Sequence, residues 1–304
     1  MTRPDLKVRL GELELRNPVL TASGTFGYGE EVADLVDLSK IGAIVCKTVT
    51  RAPRAGNPPP RTSETPAGML NAIGLQNVGL DAFKRDKMPF LRECDTRLVV
   101  NIAGEGIEDF AALCADLGQE AGVDALELNI SCPNVAHGLD FASDPLQAEA
   151  VVAACRRETR LPLWVKLSPN VFDIALIARA AQNGGADALT VANTFVGMAI
   201  DTRTRRTRLS NGTGGLSGPA IRPLALRAVW KCANTVTIPI IGVGGIVTAN
   251  DALEFLIAGA SAVQIGTATF VRPHAAVEVA QGIEKYLIEH NFGSVSELVG
   301  SLQT

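Results

Sequence analysis

Asn129-Ile130-Ser131-Cys132-Pro133-Asn134 is the part of the chain where reactive side chains crowd together. Pro133 forces the backbone out of regular structure, so the Cys132 thiol is expected to face a pocket rather than the core. Two roles are open to it, nucleophile and general base. An unperturbed thiol, with a pKa of about 8.5, is only slightly ionised at neutral pH. That suits a base working in mildly alkaline solution or one tuned by a nearby lysine. His137 is the one histidine close in sequence, and it leaves a Cys–His nucleophile pair open. Cys46, Cys94, Cys114, Cys155 and Cys232 form no CxxC pair. They read as small buried hydrophobes rather than zinc or iron–sulfur ligands, and no metal site is expected.

A second set of polar residues falls at the ends of β-branched runs: Lys47, Asn101, Asn129, Lys166 and Asn193, with Asn71 in a long intervening loop. One asparagine after a strand is a turn residue; several, together with two lysines, describe a site. Amides offer a donor and an acceptor side by side. They suit a planar heterocycle with alternating C=O and N–H groups, such as a pyrimidine or the pyrimidine ring of a flavin. A lysine beside such a flavin would stabilise its anionic reduced ring. Carboxylates are missing from these strand ends apart from the buried-looking Glu127, which argues against glycoside hydrolysis and a divalent-metal site.

A third set reads as a phosphate cradle. Gly242-Val243-Gly244-Gly245 precedes Thr248, Asn250 and Asp251 at a helix start, and Gly266-Thr267 ends the last strand. Glycine lets backbone N–H groups approach an anion, and a helix N-terminus favours it. Gly212-Thr213-Gly214-Gly215-Leu216-Ser217 lacks the final glycine and the preceding strand of a dinucleotide fingerprint, so no NAD-binding fold is expected within the chain.

The elements that must hold these groups alternate regularly. Candidate strands cover 18–23, 43–49, 98–104, 125–131, 163–168, 188–194, 239–245 and 262–268, each nearly all apolar, as parallel strands buried on both faces are. Amphipathic stretches at 107–120, 146–158, 172–183, 219–233, 249–258 and 274–289 separate them; the first puts Ile107, Phe110, Ala111, Cys114 and Leu117 on one face. Gly122, Gly184-Gly185 and Gly259 stand where helix C-caps are expected. Eight such units predict an α/β fold, a (β/α)8 TIM barrel in one domain over 1–304, with an open doubly wound sheet as the competitor. Residues 6–16 alternate around Gly11 and predict a β-hairpin ahead of the first strand, capping the barrel bottom. Long loops follow strands 2 and 6, at 50–97 and 195–217, on the side where barrel enzymes build active sites. The arginines at 203, 205, 206 and 208 read as a solvated loop face.

Bulk properties narrow the class. Net charge is −4 and charged residues are 20% of the chain, against a nucleic-acid or anionic-membrane binder. No apolar leader and no run long enough to span a bilayer is visible, so the expected location is the cytoplasm.

The segments TASGTFG (21–27), CKTVT (46–50), NAIGLQN (71–77), NISCPN (129–134), WVKLSPN (164–170), VANT (191–194), GGLSGPAI (214–221), GVGGI (242–246) and QIGTA (264–268) together resemble dihydroorotate dehydrogenase of class 1, over nearly the whole chain. The resemblance implies one FMN per chain and oxidation of dihydroorotate to orotate in pyrimidine (UMP) biosynthesis. It places FMN near Ser23, Lys47, Thr48, Asn101, Asn129, Lys166 and Val191, and its phosphate near Gly218, Gly244, Gly245, Gly266 and Thr267. Substrate would meet Lys47, Asn71, Ala72, Ile73, Gly74, Leu75, Asn129, Asn193 and Thr194. Cys132 would be the base. NAIGLQN and NISCPNVAHG are most similar to class 1B. That class implies a homodimer joined to a partner subunit bearing FAD and a 2Fe-2S cluster, a heterotetramer with NAD as final acceptor. A fumarate-using class 1A homodimer, another dihydropyrimidine-processing FMN barrel, a flavin-free lyase with a Lys166 Schiff base, and a scaffold without activity are the rival readings.

Overall fold

The computed structural model describes residues 3–131 and 141–303. Cys132, Pro133, Asn134 and His137 lie outside the described residues.

The chain opens with a hairpin, β1 (Val8–Leu10) and β2 (Leu13–Leu15), antiparallel with Val8 opposite Leu15. Gly11 turns it at φ 66°, in the left-handed region open to glycine. Its Cα packs against Asp187, just before a barrel strand begins, so the hairpin covers the N-terminal end of the barrel as expected. The strands that follow are β3 (Val19–Thr21), β4 (Ala43–Val45), β5 (Thr62–Thr65), β6 (Gly68–Asn71), β7 (Arg97–Ile102), β8 (Ala125–Asn129), β9 (Leu163–Lys166), β10 (Ala188–Val191), β11 (Phe195–Gly197), β12 (Ile200–Asp201), β13 (Arg206–Thr207), β14 (Gly214–Ser217), β15 (Ile240–Val243) and β16 (Ala262–Ile265).

Eight of them, β3, β4, β7, β8, β9, β10, β15 and β16, close into a parallel barrel in chain order. The expected strands begin where the observed ones do, within a residue, but run too far: the strand expected over 43–49 is Ala43–Val45. Beyond the last ladder bond the same apolar-to-polar stretch leaves the sheet and becomes cavity wall. The helices between strands are amphipathic. Along Ile107–Gly118 the buried face is Phe110, Leu113, Cys114 and Leu117, so Leu113 takes the place expected of Ala111. Asp144 and Asp173 cap Pro145–Glu158 and Ile174–Asn183, each accepting the N–H two residues on, from Leu146 and Ala175 at 2.9 Å.

The two long loops hold structure that hydrophobic periodicity does not reveal. They meet in one antiparallel sheet of order β11-β14-β6-β5, which joins the loop after β4 to the loop after β10. Asn71 stands opposite Gly215 across this seam and donates its amide to the Gly215 carbonyl at 3.2 Å. The glycines of 214–215 are explained here. A Cβ on Gly215 would fall 2.0 Å from Thr194 Oγ1, and one on Gly214 2.6 Å from the Asn71 carbonyl. The arginine-rich stretch forms the tip of the β12–β13 hairpin and is exposed. Asp201 accepts the Arg203 and Thr204 N–H groups there, and these bonds hold its carboxyl below the usual carboxylate range.

Among the described residues no helix is long and apolar enough to cross a membrane.

Candidate active site

The C-terminal ends of the barrel strands and the four-stranded roof enclose a cavity of about 680 Å³. Each barrel strand points its chain end at it, which is why residues far apart in sequence converge there. Two ammonium groups reach it, Lys47 just beyond β4 and Lys166 at the end of β9. Among the described residues six asparagines line it, Asn57, Asn71, Asn129, Asn170, Asn193 and Asn211, and none of the lining residues is acidic. Two cations and many amides, with no carboxylate among the described residues, favour an anionic, multiply hydrogen-bonding ligand.

Lys166 is only 5% exposed. Burial is the first cause that lowers the Lys47 pKa from the ordinary lysine value, and the charges of Arg61 and Lys166 lower it further. The cavity therefore holds more positive charge than it can neutralise by itself. An anion would relieve that repulsion.

Asn129 and Asn193 are joined through Ser131. The Ser131 hydroxyl donates to Asn129 Oδ1 at 2.6 Å, and the Asn193 amide donates to Ser131 Oγ. Asn193 Oδ1 in turn accepts the Thr194 N–H at 2.8 Å. Ser131, immediately before Cys132, lines the cavity, as do Ala142 and Ser143 further along. The roof supplies Asn71, Ala72, Ile73, Gly74 and Leu75. Gly74 at φ 74° and Leu75 at φ 54° bend this stretch over the mouth.

Two asparagines that sequence reasoning misses tie the roof down. Asn57 donates its amide to the Ala72 carbonyl at 2.9 Å, and its own N–H bonds Ile73. Asn170 donates to the Thr194 carbonyl and accepts the Val196 N–H, both at 2.9 Å. Asn57 stands in the proline-rich stretch and Asn170 ends the WVKLSPN segment, so each carries a signal. Neither lies on a strand, and strand ends are where a barrel site is sought first.

At the opposite end Ser217, Gly218, Gly244, Gly245, Gly266 and Thr267 line the wall, with the Thr267 hydroxyl donating to Ser217 Oγ at 2.8 Å. Close packing explains the glycines: a Cβ on Gly245 would meet the Arg222 backbone at 2.7 Å, and one on Gly218 the Gly68 Cα at 2.7 Å. One expectation is revised. Thr248, Asn250 and Asp251 at the start of the helix Ala249–Ile257 do not line the cavity. Asp251 caps that helix, accepting the Val247 and Thr248 N–H groups at 3.0 and 2.8 Å in a capping box with Thr248. The helix start beside the cavity is instead that of the short segment Ala268–Val271 after Thr267.

The structure brings Ser23, Lys47, Thr48, Asn129 and Lys166 to the cavity wall, and likewise all the expected roof and glycine positions. It does not bring Asn101 and Val191 there. Both are fully buried within strands, and Asn101 donates its amide to Glu127 at 2.7 Å. Asn101 is the penultimate residue of β7 rather than a rim residue. Of the other cysteines, Cys46, Cys114, Cys155 and Cys232 are buried and Cys94 is partly exposed. Burial pushes the Cys46 and Cys232 thiols up to about 12, which leaves them protonated and inert.

Fold and cavity together define an α/β-barrel protein with a cationic, amide-lined mouth at its strand ends. A family model described as dihydroorotate dehydrogenase matches residues 5–287. A protein of Pelobacter propionicus is 57% identical over 302 residues, 99% of each chain, and is named dihydroorotate dehydrogenase B (NAD(+)), catalytic subunit. Proteins of Geotalea daltonii and Desulforamulus reducens, 55% and 54% identical over 100% and 98% of both chains, carry the same name. The crystal structure of DHODH from Eimeria tenella in complex with ferulenol shares the fold, with a TM-score of 0.82 over 98% of this chain and 88% of its own at 24% identity. The chain belongs to the dihydroorotate dehydrogenase family, a family of FMN-binding oxidoreductases.

Proposed function

We propose that this chain, acting as one domain over 1–304, is the catalytic subunit of an NAD-linked dihydroorotate dehydrogenase and oxidises dihydroorotate to orotate in pyrimidine biosynthesis. The observation that carries the reading is the wall which, among the described residues, holds two lysines and six asparagines and no carboxylate. Its charge and hydrogen-bonding capacity match a carboxylated pyrimidine and a flavin phosphate at once.

FMN fits the residues present. Ser23, Thr48, Asn129 and Lys166 would hold its ring, with Asn101 and Val191 supporting from behind the wall. Gly218, Gly244, Gly245, Gly266 and Thr267 would hold its phosphate. When bound, FMN supplies the acceptor for the hydride from C6 of dihydroorotate.

This chain's own residues do the rest. Cys132 takes the proton from C5, leaving the C5–C6 double bond of orotate. Lys47 holds the substrate carboxylate. Asn71, Asn129, Asn193 and Thr194 hold the ring amides, with Ala72 to Leu75 closing over it. Orientation of this kind converts binding into rate. A partner subunit bearing FAD and a 2Fe-2S cluster, joined to a homodimer of this chain in the cytoplasm, would supply the route for electrons to NAD. The relatives' name, catalytic subunit, supports a partner.

The test is purification followed by flavin absorbance and substrate profiling with an artificial dye. About one FMN per chain and turnover of dihydroorotate are expected, with poor use of NAD by the isolated chain. Turnover of dihydrouracil without dihydroorotate would overturn the substrate, a colourless protein the cofactor, and efficient NAD reduction by the chain alone the partner.

A further inference from the structure

The barrel interior below the cavity is not the aliphatic layer that such barrels carry. Glu127 on β8 is fully buried there. It accepts three hydrogen bonds from three other strands: Asn101 Nδ2 on β7 at 2.7 Å, Thr190 Oγ1 on β10 at 2.6 Å and Gln264 Nε2 on β16 at 2.7 Å. Both amides turn their NH2 groups to the carboxylate and leave their own oxygens, Asn101 Oδ1 and Gln264 Oε1, buried without a partner. Sacrificing two acceptors in this way fits an acceptor-only group at the centre. Among the described residues no lysine, arginine or histidine comes within ion-pair distance of Glu127. The Cys46 thiol, just beyond β4 and two strands round the barrel from β8, is raised by burial first and by Glu127 to a lesser degree.

The position of this layer follows from strand geometry. Side chains two residues apart on a strand share a face, separated by about 7 Å along it. Glu127 is two residues before Asn129, Thr190 two before Ala192 and Gln264 two before Gly266, and all three later residues line the cavity. The carboxylate thus sits one side-chain step under the cavity floor, on the side away from the roof.

We infer that Glu127 is a positioning residue that holds a negative charge under the cavity floor and so lowers the reduction potential of the flavin bound above it. The inference rests on the flavin reading of the cavity. A fixed anion disfavours the anionic reduced ring, opposing Lys47 and Lys166, and makes the reduced flavin a better donor to a low-potential acceptor. The three donors also fix Glu127 in place and, through Thr190 and Gln264, steady the strand ends that carry Ala192 and Gly266.

The experiment is potentiometric titration of the FMN-loaded chain. Glu127→Gln is expected to bind FMN and to favour reduced over oxidised FMN about tenfold more than the natural chain, a positive shift of about 30 mV for a two-electron couple. Thr190→Val, close in shape to the natural residue, removes one donor and leaves the charge less compensated; its potential is expected to move negative, with Thr190→Ser unchanged. If Glu127→Gln does not fold, the Thr190 pair decides. Natural potentials in Glu127→Gln, or in both Thr190 variants, would overturn the inference, since a merely structural pin would alter melting temperature and FMN content but not potential. Failure of the natural chain to bind FMN would instead strike the flavin reading.

Discussion

The floor and the roof of the cavity are built by opposite means. The floor is the ends of eight parallel strands whose register is set around a closed ring, and its polar groups are deeply buried: Lys166 is 5% exposed and Asn129 8%. The roof is four short strands from two loops, paired across 144 residues of chain at Asn71 and Gly215 and mostly half-exposed. A ring of strands positions side chains through the fold itself. The roof positions them through a few side-chain bonds, those of Asn57 within one loop and of Asn71 and Asn170 between loops foremost. Cofactor chemistry needs the first kind of precision, and substrate entry needs the looseness of the second.

This division can be tested by removing one group at a time. The largest effect is expected of Cys132→Ala, which follows a floor strand and removes the proposed base. Turnover should fall by about 10²–10⁴ while flavin absorbance stays; near-normal kcat would refute the role. Lys166→Met deletes a floor cation, and a charge-assisted contact is worth about 1.5–3 kcal/mol. FMN affinity, read by fluorescence titration, should fall at least tenfold, and an unchanged affinity would show that the floor does not hold the cofactor.

Lys47 offers a pH test. Its lowered pKa means the ammonium is lost as pH rises, starting below the ordinary lysine value of about 10.4. The KM for an anionic substrate should therefore climb with alkaline pH, and Lys47→Arg, which keeps its charge, should flatten the climb. A KM independent of pH up to that value would remove Lys47 from carboxylate binding. The smallest effect is expected in the roof. Asn71→Ala loses one neutral hydrogen bond to Gly215, about 1 kcal/mol. It should raise KM roughly fivefold and leave FMN affinity alone; a loss of FMN would erase the distinction between the two halves.

The same contrast explains what is legible in the sequence. The floor can be read because strands buried on both faces appear as continuous apolar runs, and the polar residue that ends each run stands out. Lys47, Asn129, Lys166 and Asn193 are found that way. Asn101 is misplaced because one more ladder residue follows it in β7, which puts its side chain in the core against Glu127 rather than at the rim. The roof is illegible as a sheet. Its strands have no apolar period, and the glycines of 214–215 record an approach to Thr194 and Asn71 that only the folded chain brings about. The self-capped helix at Ala249 misleads for a similar reason. An acid in the first turn reads equally well as a site neighbour or as the group that closes the site, and Asp251 is the latter.

The seam between the two loops has a consequence for anyone who would alter what this barrel accepts. Gly215 has no room for a side chain, and Asn71 is already engaged by the strand opposite. Neither seam strand, β6 nor β14, can be exchanged or randomised while its counterpart is kept. The two must be transplanted together, as a single cassette interrupted by the barrel from Arg97 to Val191.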